Sequence, residues 1–211
     1  MVRREEVHDV PTKQVDAKAE RALRRRAEIL RAAVQLFQED GYHSTTTHAV
    51  ADRAGISVGL IYQYFGNKED LLRAAIVDIL GEFRDRIPVA MDEAGDDPEA
   101  RLRSGFRTLV AVIDEKPEAT VLSYRESMTL SREGRDELKK LEVETAEPFR
   151  RAIEDGIRSG AFRAVDADLV VHNLLLVAHG WALKHWRLST WLDLDTYVQR
   201  ELDLVLGAIR P

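Results

Sequence analysis

Three groups of side chains in this sequence have types and spacings that could do chemistry. The first lies between Ser44 and Lys68, where the hydroxyls of Ser44, Thr45, Thr46, Thr47 and Ser57 precede Tyr62, Gln63, Tyr64 and Lys68. The second is the set Glu126, Glu142 and Glu144, carboxylates that could be imagined in acid–base work. On an amphipathic helix of an acidic chain they are expected to face solvent. The third is His172, His179 and His185. His172 and His179 are two turns apart, roughly 10 Å along a helix, which is too far to share one ion. With no cysteine in the chain and no His pair at i, i+4, no metal is expected. Phosphate-cradling glycine loops, Gly-x-Ser-x-Gly elbows and His-Glu-x-x-His helices are absent, so the expectation is no enzyme and no cofactor.

The elements that must position these groups are helices. Apolar residues recur at spacings of three and four from Leu23 to Ile209, and strand-like alternation is missing. The chain is expected to be all-α, with about nine helices. Met1 to Lys18 is polar and mixed in charge, and reads as a flexible arm. Leu30, Ala33, Val34 and Phe37 make one face of a first helix that stops at Gly41. Two short helices follow: one capped among Ser44 to Thr47 and ended by Gly55, the other capped by Ser57 and ended by Gly66. Asn67, with Asp70 three positions later, caps a long fourth helix running to Ile87 and ended by Pro88. Val89 to Asp97 then reads as loop. Five further helices are placed at Pro98 to Glu115, Pro117 to Leu130, Arg132 to Ser159, Asp166 to Arg187 and Asp193 to Ala208.

Two short helices around a tight glycine turn, braced by longer ones, are a helix-turn-helix arrangement. Ala51, Ala54 and Gly55 permit close approach, Ile56 plugs the corner, and the second short helix can protrude into a groove and read base edges. The residues Ala33-x-x-Leu36-Phe37-x-x-x-Gly41-Tyr42, Thr45-Thr46, Val50-Ala51-x-x-Ala54-Gly55-Ile56-Ser57-x-Gly59 and Ile61-Tyr62-x-Tyr64-Phe65-x-Asn67-Lys68-x-x-Leu71-Leu72 resemble the TetR/AcrR family of bacterial transcriptional repressors. The resemblance covers about residues 24 to 80. It implies a homodimeric regulator that binds a double-stranded DNA operator and a small-molecule effector, with an arm at 1–18, a DNA-binding domain at 19–66 and a ligand-binding and dimerisation domain at 67–211. It also implies phosphate contacts by Thr46, Tyr64 and Lys68, and places Val58, Gly59, Tyr62 and Gln63 at the major groove. Gln63 alone among these can pair in bidentate fashion with adenine, and Val58 can meet only a thymine methyl. Leu60 departs from the pattern and loses a phosphate contact. Arg24 and Arg25, early in the first helix, are further candidates for phosphates.

Net charge supports this division. The whole chain carries -6, yet Lys18 to Lys68 holds eight basic and five acidic residues, a net of +3, leaving -9 elsewhere. No stretch of about 18 apolar residues and no apolar leader is present, so a soluble, cytoplasmic protein without membrane contact is expected.

In the C-terminal two thirds, an effector pocket between bundle helices needs one wall on the fourth helix, whose tilt moves the reading helix. Candidate linings are Phe83, Phe106, Leu109, Ile113, Tyr124, Arg125, Met128, Phe149, Ile153, His179 and Trp181. Tyr124-Arg125-Glu126 is similar to a branch of the family that senses acyl-CoA or other lipid-like metabolites, which favours an apolar effector. Leu174, Val177, Val198, Leu202, Val205 and Leu206 are the candidate dimer residues, in a four-helix bundle across a two-fold axis; the alternative is that they close the chain's own core. The competing function is a helical small-molecule or lipid-binding protein that does not bind DNA.

Overall fold

The computed structural model describes residues 12–211. Met1 to Pro11, most of the expected arm, lie outside them. Ten α-helices follow in order: α1 Thr12–Glu39, α2 Thr47–Ala54, α3 Val58–Phe65, α4 Lys68–Glu93, α5 Pro98–Glu115, α6 Pro117–Glu126, α7 Arg132–Ser159, α8 Ala167–Leu183, α9 His185–Leu188 and α10 Leu194–Ile209, with a 3₁₀ turn at Ser127–Thr129. No strand occurs among the described residues, and the fold is all-α as the periodicity implies. The backbone of residues 12–18, expected in the arm, belongs to α1.

Short polar side chains set most helix starts. The side-chain oxygens of Thr46, Asn67, Asp97, Asp166 and Asp193 each accept a hydrogen bond from a backbone N–H three residues on, satisfying donors that a helix leaves free at its first turn. Ser57 is extended at the start of α3 but makes no side-chain cap bond, so the expected cap there is confined to the backbone. Gly41 and Gly55 end α1 and α2 with φ of 82° and 64°, a region that a Cβ disfavours.

Two boundaries differ from the sequence reading. Helix α4 does not stop at Pro88 but continues to Glu93. Proline removes one backbone hydrogen bond, and here the burial of Ile87 and Met91 on either side offsets that loss. The partner helix makes room for them: a Cβ on Gly105 of α5 would sit 2.8 Å from the Met91 side chain, so only glycine permits this approach. The helix expected from Asp166 to Arg187 breaks at Lys184 into α8 and the short α9, which accounts for ten helices where nine were expected.

One core joins the elements. Ile29, Ala33 and Phe37 of α1, Val50 and Ala51 of α2, and Ile61 and Phe65 of α3 are buried together against Leu71 and Leu72 at the start of α4. Helix α4 then packs most extensively against α5 and α7, where Phe106, Leu109, Phe149 and Ile153 are fully buried. Tyr197 of α10 donates its hydroxyl to the Val177 carbonyl at 2.6 Å, tying α10 to α8.

Candidate nucleic-acid interface and effector cavity

The protruding element is α3. Ile61 and Phe65 fix it to the core, which leaves Gly59, Tyr62 and Gln63 exposed on the opposite side, with Tyr62 51% exposed. The Tyr62 hydroxyl lies 3.3 Å from that of Thr47, which couples the ring to the first turn of α2. Val58 and Tyr64 are half-buried and pack on the core, and the Tyr64 ring lies 6.1 Å from that of Phe65. Thr46 is exposed and already accepts the Ala49 N–H at 3.1 Å as the α2 cap. Its own hydroxyl proton is left for an acceptor such as a phosphate oxygen.

Lys68 is placed differently from a phosphate ligand. Its ammonium donates to the carbonyls of Tyr42, His43 and Thr45 at 2.8, 3.2 and 3.0 Å and lies 4.4 Å from the centre of the Tyr42 ring. An ammonium has three protons, and all three have acceptors in the loop between α1 and α2. Buried Thr45 braces that loop from the other side, its hydroxyl 2.9 Å from the Gly41 carbonyl. The sequence does not show this clip, because it joins residues more than twenty positions apart.

Arg24 and Arg25 sit on the exposed face of α1, paired with Glu20 at 2.9 Å and Glu28 at 3.0 Å. Exposed pairs of this kind are worth well under about 1 kcal/mol and exchange readily for another anion. Arg26 turns inward instead: its guanidinium approaches Asp78 of α4 at 3.4 Å and lies 5.7 Å from the centre of the Phe65 ring.

A cavity of about 310 Å³ opens between α4, α6, α7 and α8. Of the predicted lining, Phe83, Tyr124 and His179 are brought together there. Phe106, Leu109, Ile113, Phe149 and Ile153 stand outside it as fully buried core. Trp181 is also buried, its indole N–H held by Asp114 at 2.7 Å. Arg125 is exposed, and Met128 is 78% exposed on the 3₁₀ turn. The sequence reading missed Ile76, Leu80, Leu138, Leu175 and Leu176, which form the apolar wall, and Ser123, Ser127, Glu142, Thr145 and His172, which supply polar groups. Glu142 is exposed, as expected, and stands at the open side of the cavity lining. The i, i+4 and i+7 spacing of Ile76, Leu80 and Phe83 marks one face of α4, a signal that could have found that wall.

The Tyr124 hydroxyl and His179 Nδ1 are 2.8 Å apart, with their rings edge to face. Burial lowers the His179 pKa to about 4, so its imidazole is neutral at pH 7. Burial also raises the pKa values of Tyr124 and Glu142.

The expected dimer residues are mostly inward. Leu174, Val198, Leu202 and Leu206 are buried in the chain's own core, and Val177 and Val205 are half-buried against it. Leu169 and Leu176 of α8 and Leu204 of α10 are the large apolar residues these two helices expose.

Comparison with known proteins agrees with this geometry. The sequence pattern of "Bacterial regulatory proteins, tetR family" matches residues 29–75, and that of a "Tetracyclin repressor-like, C-terminal domain" matches residues 95–186. The chain is 36% identical over 182 residues to the HTH-type transcriptional regulator HbdR of Aromatoleum sp. (strain CIB), covering 86% of this chain and 79% of that protein. It is 30% identical over 191 residues to the HTH-type transcriptional repressor KstR2 of Rhodococcus jostii (strain RHA1), covering 88% and 91%. The solved structure of the ketosteroid transcriptional regulator KstR2 of Mycobacterium tuberculosis superposes with a TM-score of 0.71 at 26% identity, covering 89% of this chain and 95% of that one.

Proposed function

Because the chain belongs to the tetR family of bacterial regulatory proteins and is a DNA-binding transcriptional regulator, we propose that it is a repressor that binds its operator as a homodimer and is released by a small, largely apolar effector. The observation that carries this reading is that cavity and reading helix share α4. Ile76, Leu80 and Phe83 line the cavity, and the same helix begins at Lys68, just beyond the Gly66 that ends α3. A change in the tilt of α4 at the cavity therefore reorients α3. The effector acts only to the extent that it prefers one tilt over the other.

In this mechanism Gly59, Tyr62 and Gln63, with Val58 at their edge, enter the major groove. Thr46, Tyr64, Arg24 and Arg25 hold phosphates, which position the protein without reading sequence. Lys68 acts one step back: it holds the loop that carries Thr46. A second copy pairs through the outer faces of α8 and α10, around Leu169, Leu176 and Leu204, and sets the two reading helices about 34–36 Å apart for successive major grooves. The chain divides functionally into a DNA-binding part at 19–66 and an effector-binding and pairing part at 67–211. A relative described as a ketosteroid regulator supports an apolar effector, as does a wall built from the six apolar side chains of Ile76, Leu80, Phe83, Leu138, Leu175 and Leu176. Among the described residues no helix is long and apolar enough to cross a membrane, consistent with a regulator that meets DNA in the cytoplasm. The competing carrier function without DNA binding is set aside, since the HTH-type relatives match along most of their length.

The test is selection of bound sequences from a random duplex library with purified protein, repeated with Gln63→Ala. The variant should lose about 1–3 kcal/mol of preference at one base pair in each half-site and little affinity elsewhere. An equal loss on all sequences would show that Gln63 does not read a base.

A further inference from the structure

The aromatic ring that α3 exposes is that of Tyr62. A free ring on two rotatable torsions loses that freedom on binding, which lowers affinity unless the ring is already held. Here its far end is tethered: the Tyr62 hydroxyl lies 3.3 Å from Oγ1 of Thr47, the first residue of α2. Of three consecutive threonines, Thr45 gives its hydroxyl to the carbonyls of Leu36 and Gly41, and Thr46 accepts the Ala49 N–H as the α2 cap. Thr47 makes no such backbone bond, and among the described residues its hydroxyl meets only Tyr62. We propose that Thr47 is a positioning residue for operator recognition, which holds the Tyr62 ring and turns its hydroxyl proton outward, so that Tyr62 meets the duplex as a hydrogen-bond donor.

The anchor is well fixed. Thr47 is 9% exposed and follows both the Thr46 cap and the Thr45 carbonyl, which Lys68 holds at 3.0 Å. On the other side, Ile61 and Phe65 seat α3 in the core. Proton counting then gives the bond its direction. Each hydroxyl carries one proton, and one of the two lies between the oxygens. A duplex laid across α3 removes the water that still reaches Thr47, and a buried donor left without an acceptor is costly. The Thr47 proton therefore goes to the phenol oxygen, the one acceptor within reach. The phenol proton remains, on the exposed side. Had Tyr62 donated inward, the Thr47 proton would be stranded and the duplex would meet only lone pairs. An outward donor complements a phosphate oxygen, a purine N7, guanine O6 or thymine O4, and does not complement the amino group of cytosine. Gly59, one turn earlier on α3, has open space where a Cβ would stand, which keeps the surface beside the ring clear.

This inference rests on the reading that Tyr62 faces the duplex, and a double-mutant cycle separates the two. The full chain is used as wild type, Thr47→Val, Thr47→Ser, Tyr62→Phe and Thr47→Val with Tyr62→Phe. Valine keeps the shape of threonine without its hydroxyl, and serine keeps the hydroxyl. Affinity is measured by fluorescence anisotropy on the duplex that wild type selects from a random library, and urea midpoints are recorded beside it. Thr47→Val and Tyr62→Phe should each weaken binding at least about fivefold, since a dimer loses the contact twice. Thr47→Ser should stay within about twofold of wild type, and in the Tyr62→Phe protein Thr47→Val should change affinity less than about twofold. The urea midpoint of Thr47→Val should not fall, which a merely structural role for the hydroxyl would require. Selection repeated with the variants identifies the acceptor: lost preference at one shared base pair marks a base, and equal loss on all sequences marks a phosphate. If Tyr62→Phe weakens binding but Thr47→Val does not, or weakens it equally in both backgrounds, the role given to Thr47 is overturned while Tyr62 keeps its place at the duplex. If Tyr62→Phe binds as wild type does, the placement of Tyr62 fails and the proposal fails with it.

Discussion

At the scale of single residues, two side chains do something other than what their position in the chain suggests. Lys68 stands at the first turn of a long helix beside the protruding one, where a cation invites assignment to a phosphate. Its three carbonyl partners instead make it the fastener of the loop between α1 and α2. Lys68→Met keeps the apolar stem and removes the donors, leaving three carbonyls without their partner. It should lower stability by about 1.5–3 kcal/mol, read as a reduced urea midpoint. A residue that only met phosphate would leave the midpoint unchanged and reduce the salt slope of DNA binding by about one. His179 makes a comparable case through protonation. In the unfolded chain its imidazole gains a proton near pH 6.5, whereas the folded site resists protonation down to about pH 4. The unfolded state therefore binds more protons in this window, and stability falls as pH drops through it. Between pH 8 and pH 5 that loss should be roughly 2 kcal/mol. His179→Gln has nothing to titrate there. Urea denaturation of both proteins at both pH values should show the wild type losing that much more than the variant, other groups cancelling in the comparison. Neither role could be read from the sequence, because each depends on which distant backbone or ring the fold brings up. The caps at Thr46, Asn67 and Asp97 were legible because their partners lie three residues away.

At the scale of elements, the connection between cavity and reading helix has identifiable parts. Lys116 stands at the start of α6, and Tyr124, near the other end of that helix, lines the cavity. The Lys116 ammonium donates to Asp78 at 2.9 Å and to Glu82, both on α4, and Asp78 also receives Arg26 of α1. Burial lowers the Lys116 pKa and the bonds to Glu82 and Asp78 outweigh it, so the net shift is upward and the group stays charged. Arg26 in turn lies over Phe65, the last residue of α3. A run of contacts thus joins α6, α4, α1 and α3 through Asp78. Because these side chains are about a third exposed, the link should matter more for coordinated movement than for stability. Asp78→Ala should cost less than about 1 kcal/mol of global stability, while amide exchange over residues 27–31 and 117–124 should quicken relative to α5. Unchanged exchange in both segments would remove Asp78 from the link. Periodicity and proline placed α5, α7 and α10 to within a residue or so. It failed at Pro88 because the continuation of α4 depends on Gly105 leaving space for Met91, a tertiary matter that no window of local sequence contains.

At the scale of the whole molecule, charge and apolar surface are divided between the two ends of the chain. The acidic total of -6 conceals a DNA-binding segment of net +3 and a remainder of -9, so the negative part can stay clear of the duplex while the positive part meets it. That remainder also carries the proposed pairing surface, and the residues that apolar spacing singles out for it on α8 and α10 are mostly turned into this chain's own core. An apolar stripe at helical spacing on α10 marks burial, but it does not say whether the burial is within one chain or between two. Val198, Leu202 and Leu206 are used up in this chain's core. The residue α10 leaves exposed is Leu204, 71% accessible, followed along the same face by Gly207 and Ala208, whose small side chains let a second helix approach. A glutamate at position 204 would face its own copy across a two-fold axis, with like charges brought together in a closing interface. Leu204→Glu should therefore leave the helical content and the urea midpoint of the isolated chain nearly unchanged. Sedimentation at micromolar concentration should shift from dimer to monomer, and operator binding should weaken at least about a hundredfold, because a single reading head retains only one of the two half-sites. A variant that remains dimeric and binds operator as before would move the pairing surface away from α10, leaving the exposed leucines of α8 as its centre.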